Sequence, residues 1–122
     1  MRIVDRTTFL ALPAGTVYAK WGDGSGDPSH MYNGPIEVKG DSLSNDWYAI
    51  DLFGWPEDVG DSGAFFDVME LARKGQPTAP MEFAESRDAL FEDRQYFAVF
   101  ERVEVERLID LFTDSLRTAY TA

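Results

Sequence analysis

Carboxylates dominate the chemistry this chain can offer. Of its 122 residues, 22 are Asp or Glu and 11 are Lys or Arg, with one histidine and no cysteine, for a formal net charge of −11. Without cysteine, thiol nucleophiles, thiolate metal sites and redox pairs are excluded. His30 is the single imidazole, so one chain cannot build a multi-histidine metal site. A Ser–His–Asp arrangement would have to draw His30 from a glycine-rich loop with no strained nucleophile turn beside it. His30 therefore reads as a solvated loop histidine.

The segment Gly22-Asp23-Gly24-Ser25-Gly26-Asp27 is neither a dinucleotide fingerprint nor a phosphate loop. Asp27 holds the third glycine position, no Gly-Lys-Ser/Thr follows, and two aspartates repel phosphate. Asp23, Ser25 and Asp27 begin the ligand pattern of a calcium loop. Pro28 then replaces the required glycine, and Gly34 stands where a bidentate Glu belongs, which leaves a flexible connector. Glu57-Asp58 and Glu92-Asp93 have the chemistry for magnesium or for acid–base work. In so acidic a chain such neighbours arise by chance, and they read as solvated loops. No cofactor or metal is expected, and the chain is not expected to be an enzyme.

The distribution of the charge is more informative than its size. Residues 1–36 balance three acids against three bases. From Asp41 to Ala72 there are eight acids and no base, and residues 82–114 carry ten acids against four arginines. Regularly spaced carboxylates create a potential like that of a nucleic-acid backbone, and they attract channels lined by Lys and Arg. Asp41, Asp46, Glu57, Asp58, Asp61 and Asp67 are the expected partner-binding surface, with Trp55 as its apolar anchor. Asp51 is set aside because it falls on a strand face. The expected partner is a basic protein or ribonucleoprotein complex. Direct binding to nucleic acid or to an anionic membrane is disfavoured by repulsion. No apolar run has the ~18–20 residues needed to span a bilayer, so a cytoplasmic location is expected.

These residues must be held by a single domain over 1–122, since the length does not support two cores. Asp5 suits an N-cap for a helix over Arg6–Leu12 that Pro13 ends. Thr16–Trp21, Ile36–Lys39, Asp46–Phe53, Met81–Glu85 and Gln95–Glu101 read as strands from β-branched and aromatic content and from alternation. In Asp46–Phe53, Tyr48, Ile50 and Leu52 share one face, and Trp47, Ala49, Asp51 and Phe53 the other. Gln95–Glu101 reads as a central strand. Gly63–Lys74 predicts a helix capped by Asp61 or Ser62, burying Phe65, Val68, Met69 and Ala72. From Val103 a helix of about 16 residues carries Val105, Leu108, Ile109, Phe112, Leu116 and Ala119 along one face. The expected architecture is α+β: a mainly antiparallel sheet of four or five strands packed against the middle and C-terminal helices.

The run Phe9-Leu10-Ala11-Leu12-Pro13-Ala14-Gly15-Thr16-Val17-Tyr18-Ala19-Lys20 resembles the opening of small, mostly uncharacterised proteins carried by bacteriophages and prophages. Ile36–Ser42, Asn45-Asp46-Trp47-Tyr48 and Phe97-Ala98-Val99-Phe100-Glu101 extend the resemblance. It brings no active site to carry over. It implies an accessory protein that binds and blocks a host machine, including CRISPR effectors; combined with the acid run, the expectation is an inhibitor of a nucleic-acid-handling defence complex. A second reading is a small-ligand binding or sequestering protein built on Tyr18, Trp21 and Tyr32 around the glycine-rich loop. That reading requires Arg2, Arg6, Arg87 and Arg94 to converge.

Overall fold

Asp5 sets the first helix. In the computed structural model, which describes residues 1–30 and 33–120, its carboxylate accepts the Thr8 backbone N–H at 2.8 Å. This satisfies one of the donors that a helix start leaves orphaned. Helix α1 is Arg6–Leu10. Ala11 and Leu12 prolong it with turn hydrogen bonds to Thr8 and Phe9 before Pro13.

The strands are β1 (Arg2–Val4), β2 (Val17–Trp21), β3 (Asn33–Leu43), β4 (Asp46–Asp51), β5 (Trp55–Pro56), β6 (Met81–Glu82), β7 (Glu85–Arg87) and β8 (Tyr96–Val99). The longer helices are α2 (Ser62–Arg73) and α3 (Arg102–Ala119). One sheet runs in the order β1-β8-β2-β3-β4-β7, and β5 pairs separately with β6. Every pairing is antiparallel. The architecture is α+β, as expected.

The main sheet has six strands rather than four or five. Both additional strands are edges of three residues, too short to display alternation. The expected strand Met81–Glu85 divides, because Met81–Glu82 pairs with β5 whereas Glu85–Arg87 pairs with β4. Strand β3 is also longer than Ile36–Lys39. A register shift between Lys39 and Ser42 bends it without ending it, as a bulge does.

Alternation then builds the core. Tyr18, Trp47, Ala49, Phe97 and Val99 point to one face and close around Phe9 of α1. Phe9 stacks on Phe97 with centroids 3.9 Å apart, and it meets Trp47 edge-on at 5.1 Å. The Trp47 indole N–H donates to the Tyr18 hydroxyl at 2.9 Å, so the polar atoms of both rings are satisfied inside. Arg6 and Lys39 are buried with these rings: Arg6 lies over Trp47 at 5.1 Å and Lys39 over Phe9 at 5.8 Å.

The helix that covers this core is α1. The expectation that the middle and C-terminal helices supply the packing is corrected, since neither α2 nor α3 has a buried residue. Helix α2 half-buries Phe65, Val68, Met69 and Ala72, the stripe read from the sequence, with Phe65 against Trp55. Helix α3 leaves Ile109, Phe112 and Leu116 more than half exposed. Periodicity of 3.6 specifies an amphipathic helix but not what covers its apolar face.

Asp46 requires a second correction. Expected on a partner-binding surface, it is fully buried at the start of β4. Arg87 donates to it through Nε at 3.0 Å, with Nη2 also 3.0 Å from the same carboxylate oxygen, and the Ala89 N–H donates at 3.1 Å. Burial pushes this carboxyl up, but the Trp47 and Ala89 backbone N–H groups and Arg87 together outweigh it and hold it below the ordinary 3.8. Asp46 thus ties β7 to the β3–β4 hairpin. Asp46→Ala should lower the unfolding free energy in urea by about 2–3 kcal/mol at neutral pH. Because the folded pKa is depressed, this contribution is present above 3.8 and disappears as pH falls through the folded value.

Candidate protein-binding surface

Apart from Asp41 and Asp46, the acids of the base-free stretch lie on or beside the lobe formed by β5, β6 and α2. As β4 ends, the Asp51 carboxylate accepts the Phe53 N–H at 2.9 Å and turns the chain toward Gly54. A Cβ at Gly54 would lie 2.8 Å from the Glu82 carbonyl oxygen and 3.0 Å from Met81 Cβ, so glycine is what lets β6 approach so closely. Trp55 then pairs with Glu82, and the Glu57 N–H donates to the Pro80 carbonyl at 2.9 Å. The Trp55 indole stacks on Phe65 at 4.3 Å and donates to the Val59 carbonyl at 2.7 Å. Asp61 caps α2 by accepting the Ala64 N–H at 2.8 Å. Trp55, 37% exposed, is therefore fixed in place before any partner arrives.

A groove of about 390 Å³ opens beside it, lined by Asp51, Phe53, Trp55, Glu82 and Glu85 among others. Phe53 is 69% exposed. Asp51, Glu57, Asp58, Asp61, Asp67, Glu82 and Glu85 form no ion pair among the described residues. Glu37 lies directly across the β3–β4 ladder from Asp51. Its carboxyl is held above the ordinary 4.5 by burial, then by the Asp51 charge, with Lys20 opposing and Asp88 adding to the rise. Lys20 is itself engaged by Asp88 at 2.7 Å. The surface thus combines two exposed aromatic rings with carboxylates that lack cations. Such a surface suits Lys and Arg side chains, whose alkyl stems cover rings while their heads meet acids.

The structure groups Trp55, Glu57, Asp58, Asp61 and Asp67 on this lobe and its rim, with Asp67 on α2. It does not add Asp41, which is exposed within the β3 bulge, four residues or about 13 Å along the strand from Glu37. Nor does it add Asp46, which is interior. Sequence reasoning missed Glu37, Phe53, Glu82 and Glu85. The run Phe53-Gly54-Trp55-Pro56, in which Phe53 and Trp55 are exposed, was the available local signal. The other three reach the site only through strand pairing.

The glycine-rich loop is ordered by its own side chains. Ser25 N–H donates to Asp23, Asp27 N–H to Ser25 Oγ, and Ser29 N–H to Asp27. His30 Nδ1 lies 2.6 Å from Asp23, so this histidine is held by the loop instead of being simply solvated. Among the described residues no group of three His, Cys, Asp or Glu is placed to hold a metal ion. Of the aromatic residues considered for a small ligand, Tyr18 is core and Tyr32 lies outside the described residues. Arg2 faces Glu101, Arg6 is buried, Arg87 faces Asp46 and Arg94 lines a separate cleft, so these four do not converge.

No family model, curated protein or solved structure matches this chain. No helix among the described residues is long and apolar enough to cross a membrane.

Like charges facing across a ladder oppose pairing. Glu37→Gln should stabilise the protein at pH 7 by on the order of 0.5 kcal/mol. Because the folded pKa is raised, the unfolded state ionises first as pH rises through 4.5. The gain should therefore vanish in thermal melts recorded below that pH.

Proposed function

We propose that this chain is a non-catalytic inhibitor that seats its acidic lobe on a basic, nucleic-acid-binding surface of a host protein or ribonucleoprotein complex. The observation that carries this reading is the set of carboxylates without ion-pair partners around the fixed indole of Trp55 and the exposed ring of Phe53. A basic channel evolved for phosphates would gain charge pairing from the acids and apolar contact from the rings. Occupancy of that channel excludes nucleic acid by competition. The resemblance to phage and prophage accessory proteins favours a defence complex of the host, CRISPR effectors included, and with it an encounter in the host cytoplasm.

The test uses Glu57→Lys with Asp67→Lys. Asp61 is spared because its carboxylate caps α2. Asp58 is spared because its φ of +63° is a left-handed conformation that few side chains tolerate. Captured partner should release nucleic acid when wild-type protein binds, and should dissociate as salt rises from ~0.05 to ~0.5 M. The double variant, with an unchanged circular dichroism spectrum, should bind roughly tenfold or more weakly. Binding indifferent to both salt and charge reversal would eliminate the electrostatic reading.

A further inference from the structure

Helix α3 presents a second surface, of different chemistry. Its 18 residues include none that is buried. Val105, Ile109, Phe112, Leu116 and Ala119 recur at alternating spacings of four and three, the seam pattern of two packed helices. Ile109, Phe112, Leu116 and Tyr120 are 59%, 58%, 64% and 75% exposed, and Phe83, which faces the same groove, is 55% exposed. That groove measures about 930 Å³ and is lined by Phe83, Phe112, Ser115, Leu116, Ala119 and Tyr120. The Ser115 hydroxyl along it is already satisfied, donating to the Leu111 carbonyl, and the neighbouring Thr113 hydroxyl donates to that of Ile109. Most of the stability of a helix in a protein comes from packing of its apolar face, which α3 leaves largely uncovered.

We propose that α3 is a homodimer interface, packing antiparallel against α3 of a second copy, independently of what the acidic lobe binds. Three considerations favour a second copy over another occupant. The exposed parts of these large side chains amount to roughly 700 Å² per copy, near the ~800 Å² each side of a stable interface covers. The seam is self-complementary, because antiparallel register sets Ile109 against Phe112 and Val105 against Leu116 of the other chain, so one two-fold axis satisfies both helices. The charges choose the direction. In a parallel pair Glu101 of one helix would lie beside Glu106 of the other, a repulsion repeated twice. Antiparallel packing instead brings Glu106 within half a turn of the opposing Arg117. Arg102 and Asp114, the present partners of Glu106 and Arg117, are all but solvent-borne and leave those groups free to share.

Sedimentation equilibrium of the whole chain reads the proposal directly. Wild-type protein should approach twice its 13.7 kDa mass as concentration rises. Ile109→Glu with Leu116→Glu should remain monomeric. Glu106→Arg should weaken the dimer about tenfold by facing Arg117, and adding Arg117→Glu should restore it. That recovery keeps the test valid if the first pair disturbs folding, since a misfolded protein would not be rescued by charge exchange. Because the chain has no cysteine, Leu116→Cys supplies a single thiol, which the antiparallel register sets against Val105 and about 16 Å along the axis from its own copy, whereas parallel packing sets the two thiols side by side. Ready disulfide dimerisation at that position would mean parallel packing and overturn the antiparallel arrangement. A wild-type protein that stays monomeric throughout, or gains mass only with a different protein, overturns the dimer itself.

Discussion

Phe9 and Phe97 lie face to face 3.9 Å apart, and this contact joins the first helix to the last strand of the chain. Around it Tyr18 and Trp47 complete a ring cluster whose members come from α1, β2, β4 and β8. Each ring is fixed by a different neighbour, so the packing resists small adjustments. The cluster also determines what the rest of the chain may do. With the core face of the sheet closed by a helix of five residues, α2 and α3 are released from interior duty. Their apolar surfaces are available for Trp55 in one case and for a second chain in the other.

The charge is organised by the same constraint. Arg6 and Lys39 sit over core rings, Lys20 is bound to Asp88, and Arg87 is bound to Asp46. Cations are thus used close to the sheet, and on the β5–α2 lobe they stand at the end of α2, where Arg73 and Lys74 meet Glu70. The other carboxylates on that lobe are occupied by backbone N–H groups, as at Asp51 and Asp61, or face solvent. A negative surface of this kind costs little when its members are hydrated. At Glu37 and Asp51, where two carboxylates oppose each other on neighbouring strands, it carries a stability penalty.

The elements with strong local patterns were legible in the sequence: β2, β4 and β8 from alternating or continuous apolar residues, α1 from its cap and proline, α2 and α3 from helical periodicity. The edge strands were not, because Arg2-Ile3-Val4 and Glu85-Ser86-Arg87 acquire their identity from β8 and β4. The division of Met81–Glu85 between two sheets is likewise a property of partners. The acidic lobe was partly legible for a related reason. A run without bases locates Glu57, Asp58, Asp61 and Asp67, whereas Glu82, Glu85 and Glu37 join it from distant positions through strand register. Asp46 shows the opposite failure, since one acid in an acidic run carries no mark of burial. Its partner Arg87 lies 41 positions away.

The bond between Asp46 and Arg87 also protects the outer margin of the sheet. Strand β7 is short, exposed and charged, features that discourage one sheet from joining another edge to edge. Behind it lies β4, whose Trp47, Ala49 and Ile50 form the kind of apolar strand that pairs readily with a foreign chain. As long as Arg87 is anchored, β4 has a native neighbour on that side. A molecule that lost the anchor would shed its cover before it lost its core, so damage at this pair would lead toward self-aggregation of otherwise folded chains.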